Sequence, residues 1–337
     1  MITFNFIMSM ADPPLRIKGV VGIQNMGNTC YVNTVLQLLR TSSAWTGFCV
    51  TQSIDPTKKI TSAYKDMLTT MWSAYKPAYI RPLAFIADIR KAVQNTPYVM
   101  FGQPMQNDAH EYLAYLMDQF HEELKVDAVY LPIEDMSMDA MATRAWHLFL
   151  SKKTSPLVDM FFGMLRKTVI CSNCQNKTYQ WELFNTLKIP CEGATFEEWI
   201  KKEVNEVSDI DAYKCDTCNA KYPAKKYSHL WKAPEHLFIV IHRFQGNGMK
   251  LMGSCSGTES LSLTPFFAEE VPNKIKTYEL CGIGDHHGGH IHGGHYTSQF
   301  KHPISDEWWF FDDERAGELG SPRFSSSNYI FSYRVMQ

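Results

Sequence analysis

A glycine-rich turn leads directly into a helical pattern in the stretch Gly22-Ile23-Gln24-Asn25-Met26-Gly27-Asn28-Thr29-Cys30-Tyr31-Val32-Asn33-Thr34-Val35-Leu36-Gln37. From Val32 onward the apolar residues recur at the spacing of one helix face. Cys30 is therefore predicted at or just before a helix N-terminus, where unpaired N–H groups and the positive end of the helix dipole favour the thiolate form. A reactive nucleophile and a buried structural thiol both fit this local pattern, so other parts of the sequence must decide between them.

The composition indicates a folded protein without a strong charge preference. Its 337 residues suffice for one large domain or two ordinary ones, and 45% hydrophobic and 13% aromatic residues supply a substantial core. A formal net charge of −2 gives no reason to expect nucleic acid or an anionic membrane as a partner. The apolar residues 1–11 contain no Lys or Arg and are too short to cross a bilayer, so they make a poor signal peptide.

The cysteines favour a reducing environment. Nine is an odd count in a long chain without a secretion signal, which argues against a disulfide framework. We therefore expect an intracellular protein, in the cytoplasm, the nucleus or both, with no attachment to a membrane.

Helices are predicted in the first part of the chain. The Cys30 helix should run to about Arg40, with residues 41–43 closing it, and further helical patterns cover residues 60–75 and 83–93. A long amphipathic helix should follow the segment Gln106-Asn107-Asp108-Ala109-His110-Glu111-Tyr112, with Asn107 or Asp108 as its N-cap. The Met-rich residues 127–145 are expected to form a connection.

Strands are predicted in the second part, from about Phe161 onward. The strand-like segments are residues 169–170, 181–189, 237–241, 296–300, 308–311 and 329–335. Residues 246–262 are small and polar and are predicted to form a mobile loop. Helices followed by strands indicate an α+β fold.

Two Cys-x-x-Cys pairs have the spacing of zinc knuckles. The pairs are Cys171-Ser172-Asn173-Cys174 and Cys215-Asp216-Thr217-Cys218, and together they offer four thiolates to one tetrahedral ion. A redox role is the alternative, but neither pair lies in a βαβ pattern. A closed four-thiolate site leaves no open position for a substrate, so the predicted zinc is structural.

A histidine-rich run covers residues 285–296, and it allows two interpretations. Five histidines within it are compatible with a catalytic metal, although the interspersed glycines give no fixed ligand geometry. The other interpretation is a general base that pairs with Cys30. His295 is the best candidate for that base because it directly precedes a strand-like segment, whereas the other histidines are expected in a loop.

Two acids end an aromatic strand pattern in Trp308-Trp309-Phe310-Phe311-Asp312-Asp313. A carboxylate at this point would accept the second ring N–H of His295 and fix the tautomer and orientation of the imidazole. An ordinary turn after a strand would also place acids here. The order Cys, His, Asp is compatible with papain-like chemistry but is not specific by itself.

Taken together, these motifs resemble the ubiquitin-specific proteases, a family of papain-like deubiquitinases. The resemblance covers about residues 20–337 and rests on seven motifs in the family's order. They are the residue 22–33 segment around Cys30, the residue 106–112 segment, the two Cys-x-x-Cys pairs, His242-Arg243-Phe244, Gly293-Gly294-His295-Tyr296 and Trp309-Phe310-Phe311-Asp312-Asp313. The chain departs from the family pattern at Asn107 and Tyr112, and its histidine run is richer in histidine than that pattern requires.

The resemblance implies a single catalytic domain, residues 20–337, shaped like a right hand after a lead-in of residues 1–19. A helical thumb would cover about residues 20–130. Fingers that carry the zinc site at their tip would cover about residues 165–235, and the palm would be the remainder.

The resemblance also implies roles for individual residues. Cys30 matches the nucleophile, His295 the general base and Asp312 the third member of the triad, whose role Asp313 would share or take over. Asn25 matches the side-chain donor of the oxyanion hole, together with the backbone N–H of Cys30.

Substrate-binding residues follow from the same motifs. Asp108 matches a position that contacts the basic C-terminal tail of ubiquitin, and Tyr296 adjoins the general base. Gly293 and Gly294 suit a narrow channel for a Gly-Gly terminus, and His287 matches a second family histidine near the active site.

The expected activity is a thiol isopeptidase that hydrolyses the bond after the C-terminal glycine of ubiquitin, in a monomer with ubiquitin and ubiquitinated proteins as partners. A protease for another ubiquitin-like modifier with a Gly-Gly end is one alternative, and a non-catalytic ubiquitin-binding module is another. A zinc-dependent nucleic-acid binder is disfavoured because the chain has no excess of basic residues.

Overall fold

Helices precede most of the strands, as the sequence predicts. The structure, a computed structural model, describes residues 18–128, 135, 137–192, 195–251, 253, 257–291 and 293–336. Most of the expected lead-in, residues 1–17, lies outside the described residues. Within the described part, the helices are α1 (Cys30–Leu39), α2 (Ser43–Thr51), α3 (Lys59–Met71), α4 (Leu83–Ala92), α5 (Ala109–Leu124), α6 (Met138–Phe149), α7 (Pro156–Phe161) and α8 (Phe196–Val204).

Helix α1 is the centre of the thumb, since all ten of its residues are buried. Its polar side chains are paired inside the protein rather than exposed. Asn33 donates to the Ile23 carbonyl at 3.0 Å and Gln37 donates to the Val21 carbonyl at 3.1 Å. These bonds satisfy amide N–H groups that would otherwise be costly to bury, and they fasten the segment before α1 along the helix.

Short strands complete the thumb. Strand β1 (Gly22–Ile23) pairs in parallel with β2 (Tyr79–Ile80), and β3 (Val126–Asp127) pairs in antiparallel fashion with β4 (Lys153–Thr154). The Ile23 N–H also donates to the Asp313 carbonyl at 2.8 Å, so the start of the thumb is bonded to the end of the chain.

The palm is an eight-stranded sheet. Its order is β15 (Arg315–Leu319), β14 (Trp308–Asp312), β13 (Gly293–Lys301), β12 (Thr277–His290), β16 (Asn328–Val335), β10 (His236–His242) and β7 (Thr186–Pro190), while β11 (Ser260–Ser262) pairs with β12 off this path. Only β10 and β7 are parallel neighbours among these pairs. Strand β7 lies inside the range predicted for the fingers, so the chain returns to the palm between two finger strands.

The fingers are a four-stranded antiparallel sheet. Its order is β6 (Lys177–Phe184), β5 (Gly163–Cys171), β9 (Ala220–Lys232) and β8 (Ser208–Cys215). Both β5 and β8 are antiparallel to β9, so they run in the same direction. The two strands therefore finish at the same end of the sheet, where Cys171 and Cys215 are their last residues.

Phe161 joins the thumb to the palm. It is fully buried, with its ring stacked on Phe238 of β10 at 5.7 Å and edge-on to Trp45 of α2 at 6.4 Å. These aromatic contacts place α7 in the core that also holds α1 and α5. The large aromatic area buried at this point holds the two parts of the molecule together.

Several sequence predictions of secondary structure were wrong in detail. Residues 127–145 are not only a connection, because α6 begins at Met138. Ser42 does not simply close α1, since its hydroxyl accepts from the Trp45 N–H and caps α2. The predicted strand 181–189 is two strands that belong to different sheets, β6 and β7. Among the described residues, no helix has the length and hydropathy to cross a membrane.

Candidate active site

Cys30 is the first residue of α1 and is 3% exposed. The Asn25 side chain holds the turn before Cys30. Its amide oxygen Oδ1 accepts from the Gly27 N–H at 2.9 Å and from the Thr29 N–H at 3.1 Å. Gly27 has a φ of +94°, a conformation that favours glycine. The glycine-rich turn therefore places the thiol at the N-terminus of a buried helix, as predicted.

His295 connects Cys30 to Asp312. The His295 Nε2 atom lies 2.6 Å from Asp312 Oδ1, and the ring is close enough to Cys30 for that thiol to be the largest cause of its raised pKa. The Cys30 sulfur and then the Asp312 carboxylate raise the pKa of His295 to about 9, against the opposing effect of partial burial. The structure therefore brings the three predicted residues together.

The two neighbouring acids differ in backbone conformation. Asp312 ends β14, which pairs with β13, and Asp313 follows it with a φ of +50°. Asp313 lies outside the strand and in the left-handed region, so its carboxylate stays near His295 but reaches partners other than those of Asp312. Asp312 faces the His295 ring, whereas Asp313 turns toward α1.

Asp313 binds two asparagine side chains of the thumb. Its carboxylate accepts from Asn25 Nδ2 at 2.9 Å and from Asn33 Nδ2 at 2.7 Å. A primary amide has two N–H groups, so the bond to Asp313 leaves the second N–H of Asn25 available. With its Oδ1 bonded to the turn and its Nδ2 bonded to Asp313, the Asn25 side chain is held at both ends.

The start of α5 meets the palm beside the Cys30 site. The Asp108 carboxylate accepts from the His110 and Glu111 N–H groups at 2.8 and 2.9 Å, which confirms it as the N-cap, and from the Tyr329 hydroxyl at 2.7 Å. Tyr296 is 4% exposed, and its hydroxyl accepts from the Ala109 N–H at 3.4 Å. Both residues are buried in contacts within the protein, and their contact with a substrate tail stays a prediction.

The two glycines before His295 differ in their surroundings. A Cβ atom on Gly294 would lie 2.3 Å from the His287 carbonyl oxygen and 2.7 Å from the His286 ring. A Cβ atom on the exposed Gly293 would meet no atom within 4 Å. Close approach of the backbone therefore requires glycine at residue 294 but not at residue 293.

Gln106 is a functional candidate that the sequence analysis missed. Its amide bonds both backbone groups of Gly294, with distances of 2.8 Å to the carbonyl oxygen and 3.0 Å from the N–H. The two residues are 188 positions apart, and a single glutamine before a helix cap gives no sign of its partner. No pattern in the sequence indicated this contact.

The histidine run is part of a hairpin rather than a loop. Strand β12 extends to His290, so the expectation of loop residues was wrong for His286, His287 and His290. His286 is 1% exposed, with its ring 4.7 Å from that of Tyr296, and His287 Nε2 lies 2.8 Å from the Thr297 hydroxyl. His292 lies outside the described residues.

The described histidines of this run do not converge on a metal position among themselves. The convergent group at this end of the hairpin is His295 with Asp312 and Asp313, whose ligand-type atoms lie within 4.8 Å of one another. Asp313 is already bonded to two amides and His295 to Asp312. Hydrogen bonding explains this cluster without a catalytic metal.

Four cysteines converge at the tip of the fingers. The sulfur atoms of Cys171, Cys174, Cys215 and Cys218 lie within 4.8 Å of one another, with 3.6 Å between those of Cys174 and Cys215. The backbone N–H of Cys218 donates to the Cys215 sulfur and lowers the pKa of that thiol to about 7. Four thiols at this separation form a cluster suited to binding a metal ion.

The residue after each cysteine pair has a left-handed backbone conformation. This conformation lets the chain turn back after the second cysteine of the pair. Gln175 has a φ of +58° and Asn219 a φ of +51°. The Asn173 amide also donates to the Cys218 sulfur at 3.3 Å, so the two turns are in contact. The two halves of the cluster therefore have matching backbone geometry.

Comparisons with known proteins agree along the whole chain. A family model described as ubiquitin carboxyl-terminal hydrolase matches residues 21–333. Ubiquitin carboxyl-terminal hydrolase 21 of Homo sapiens is 26% identical over 364 residues, covering 95% of this chain and 62% of its own length. Ubiquitin carboxyl-terminal hydrolase Usp2 of Drosophila melanogaster is 26% identical over 339 residues, covering 94% of this chain and 35% of its own length. The chain thus spans less than two thirds of these relatives.

A solved structure shares the fold. The SAGA Ubp8/Sgf11/Sus1/Sgf73 DUB module bound to ubiquitin aldehyde superposes with a TM-score of 0.75 at 20% identity, covering 98% of this chain and 72% of that chain. The α+β fold, with the thumb, fingers and palm expected from the motifs, is confirmed by this match.

The effect of Cys30 on the pKa of His295 makes a testable prediction about titration. Replacing Cys30 with Ala removes the largest cause of the raised pKa, so the pKa of His295 should fall from about 9 toward its ordinary value of about 6.5. At a pH between these two values the ring should change from mostly protonated to mostly neutral. NMR titration of the ring measures this, with a His295→Gln spectrum to assign the signal. An unchanged pKa in the Cys30→Ala protein would show that the thiol and the ring do not interact.

Proposed function

This chain belongs to the ubiquitin carboxyl-terminal hydrolase family, and we propose that it is a deubiquitinating thiol isopeptidase. It would hydrolyse the amide bond after the C-terminal glycine of ubiquitin on conjugates or chains. The observation that carries this proposal is the His295 ring, which lies 2.6 Å from Asp312 Oδ1 and whose pKa is raised chiefly by Cys30 at the N-terminus of α1. A ubiquitin-binding module without catalysis would not need these three groups together.

The proposed reaction has two steps. The Cys30 thiolate attacks the glycine carbonyl carbon and forms a C–S bond, and the C–N bond breaks as His295 donates its proton to the leaving lysine amine. His295 then takes a proton from water, the resulting hydroxide attacks the thioester, and Cys30 leaves as the thiolate. Asp312 keeps the imidazole oriented through both steps. The raised pKa of His295 suits a ring that is protonated when the thiolate attacks.

The oxyanion of each tetrahedral intermediate would be bound by the second N–H of Asn25 and the backbone N–H of Cys30. Asp313 fixes the Asn25 amide at 2.9 Å, so this donor is oriented before the substrate arrives. A preorganised donor of this kind contributes on the order of 3 kcal/mol to transition-state stabilisation. We therefore propose for Asp313 a part different from that of Asp312: it orients Asn25, while Asp312 orients the ring.

We propose that the four-cysteine cluster holds a structural zinc ion, with Cys171, Cys174, Cys215 and Cys218 as its ligands. Zinc with four thiolate ligands has no open coordination position, so its contribution is to hold the fold. The cluster lies where β5 and β8 end, with Cys171 and Cys215 buried and Cys174 exposed. The ion would therefore join two turns at the fingertip.

Ubiquitin and ubiquitinated proteins are the proposed partners. The similar solved structure contains ubiquitin aldehyde together with Sgf11, Sus1 and Sgf73. For this chain we propose a monomer in an intracellular compartment, cytoplasmic, nuclear or both. The free cysteines of the described residues support a reducing environment.

The catalytic role is tested by covalent labelling with an electrophilic ubiquitin derivative. The wild-type protein should form an adduct at Cys30, and Cys30→Ala should form none because the attacking sulfur is gone. Cys191→Ala, which removes another accessible thiol, is the matched control and should label like the wild type. Labelling that persists in Cys30→Ala would refute the assignment, and labelling by a related Gly-Gly-ended modifier in preference to ubiquitin would identify a different substrate.

Removal of the metal has a separate expected effect. Elemental analysis of protein purified without chelator should find about one zinc per chain, and Cys218→Ala should lose the ion and unfold at a lower temperature. Cys191→Ala should keep both the zinc and the unfolding temperature of the wild type. Wild-type protein without zinc would contradict the proposed ligand set.

A further inference from the structure

The Gln106 side chain binds the backbone of Gly294, the residue before His295, with the same pair of bonds that a neighbouring strand would make. Its amide Nε2 donates to the Gly294 carbonyl at 2.8 Å, and its Oε1 accepts from the Gly294 N–H at 3.0 Å. One side chain therefore satisfies both polar groups of one residue. Gln106 lies in the thumb just before α5, and Gly294 is the second residue of β13 in the palm.

The β12–β13 ladder leaves this residue for Gln106 to bind. His287 pairs with His295 and His290 pairs with Gly293, but the register shifts between these two pairs. Within this described hairpin, Gly294 is opposite no residue of β12 in the ladder. The palm sheet alone therefore does not supply the backbone bonds that would fix Gly294.

Steric contacts hold the other side of Gly294. A Cβ atom added to Gly294 would lie 2.3 Å from the His287 carbonyl oxygen and 2.7 Å from the His286 ring. The backbone at Gly294 is thus pressed against β12 on one side and bonded to the thumb on the other. His295 is the next residue, so a shift of Gly294 moves the attachment point of the catalytic ring.

Neighbouring contacts keep Gln106 itself in place. Two residues after it, Asp108 caps α5 and accepts from the Tyr329 hydroxyl at 2.7 Å. The Ala109 N–H reaches the Tyr296 hydroxyl at 3.4 Å. These bonds dock the start of α5 on the palm strands β13 and β16, so the thumb residue that binds Gly294 has a fixed position.

We propose that Gln106 is a positioning residue for His295, which holds the β12–β13 hairpin against the thumb so that the imidazole stays close to the Cys30 sulfur. This proposal rests on the proposed function, because it assigns Gln106 to the same thiol chemistry. Gln106 acts through the main chain of Gly294 and takes no proton. The amide is the side chain that offers one donor and one acceptor at this length.

Two near-isosteric variants separate the bonds. Gln106→Glu keeps the acceptor for the Gly294 N–H but places an oxygen against the Gly294 carbonyl, and Gln106→Met keeps the length without either bond. Gln103→Ala, an exposed glutamine in the same loop, is the matched control. The full chain is used throughout, with a ubiquitin C-terminal amide reporter for kinetics and NMR titration of His295 for the ring.

Both Gln106 variants should lower kcat about 10- to 100-fold, the effect of a small misplacement of a catalytic group, with KM within about twofold of wild type. In Gln106→Met the pKa of His295 should fall toward its ordinary value, since the ring moves away from the Cys30 sulfur. The titration is read from this variant, because the carboxylate of Gln106→Glu by itself favours the protonated ring. The unfolding temperature should change little, and Gln103→Ala should match the wild type in every measurement.

The proposal is overturned if kcat and the pKa of His295 are both unchanged, or if kcat falls while that pKa stays at about 9. It is also overturned if KM rises alone, which would place Gln106 on the substrate, or if the loss follows a lower unfolding temperature with the pKa retained. Failure of the proposed function is distinguishable, because the wild type itself would then neither label nor turn over. The His295 titration tests the link to Gln106 in that case as well.

Discussion

The hydrogen bonds of Asp313 join the two ends of the chain, and the arrangement of the candidate site depends on them. Its carboxylate accepts from Asn25 and Asn33, and its carbonyl accepts from the Ile23 N–H. All three partners lie in or beside the segment that leads into α1. The residue that follows β14 therefore sets where the turn before Cys30 lies relative to the palm, and Cys30 can meet His295 only if that position is right.

The neighbouring acids have different hydrogen-bond partners although both lie near the His295 ring. Asp312 bonds the ring itself, and Asp313 bonds the Asn25 amide of the thumb. The first orients the proposed base and the second orients the proposed oxyanion donor. In the proposed reaction, a pair of identical residues would thus serve two different parts.

The features that the sequence predicted are those with short-range patterns. Cys30 at a helix start, Asp108 as an N-cap and the cysteine pairs at knuckle spacing all depend on neighbours within a few residues, and the structure has each of them. The family resemblance drawn from these motifs is confirmed by the match over residues 21–333. Their order along the chain identified the family before any contact was known.

The features that the sequence did not reveal are contacts between distant residues. The pairs Asn25–Asp313 and Gln106–Gly294 are separated by 288 and 188 positions and leave no periodic trace. The sequence also could not decide which of Asp312 and Asp313 orients the His295 ring, because the partners of both acids lie in distant parts of the chain. Helix α6 was missed for another reason: it begins inside the Met-rich residues 127–145, and only two of its residues, Ala140 and Ala142, are buried.

The central claim is that Asp313 acts on the reaction through Asn25, and a double-mutant cycle tests it most directly. The measurement is kcat/KM on a ubiquitin C-terminal amide reporter for the wild type, Asn25→Ala, Asp313→Ala and the double variant. Our account predicts that the double variant is about as slow as the slower single variant, a coupling on the order of 1–3 kcal/mol. Losses that multiply, with no coupling between the two sites, would contradict it.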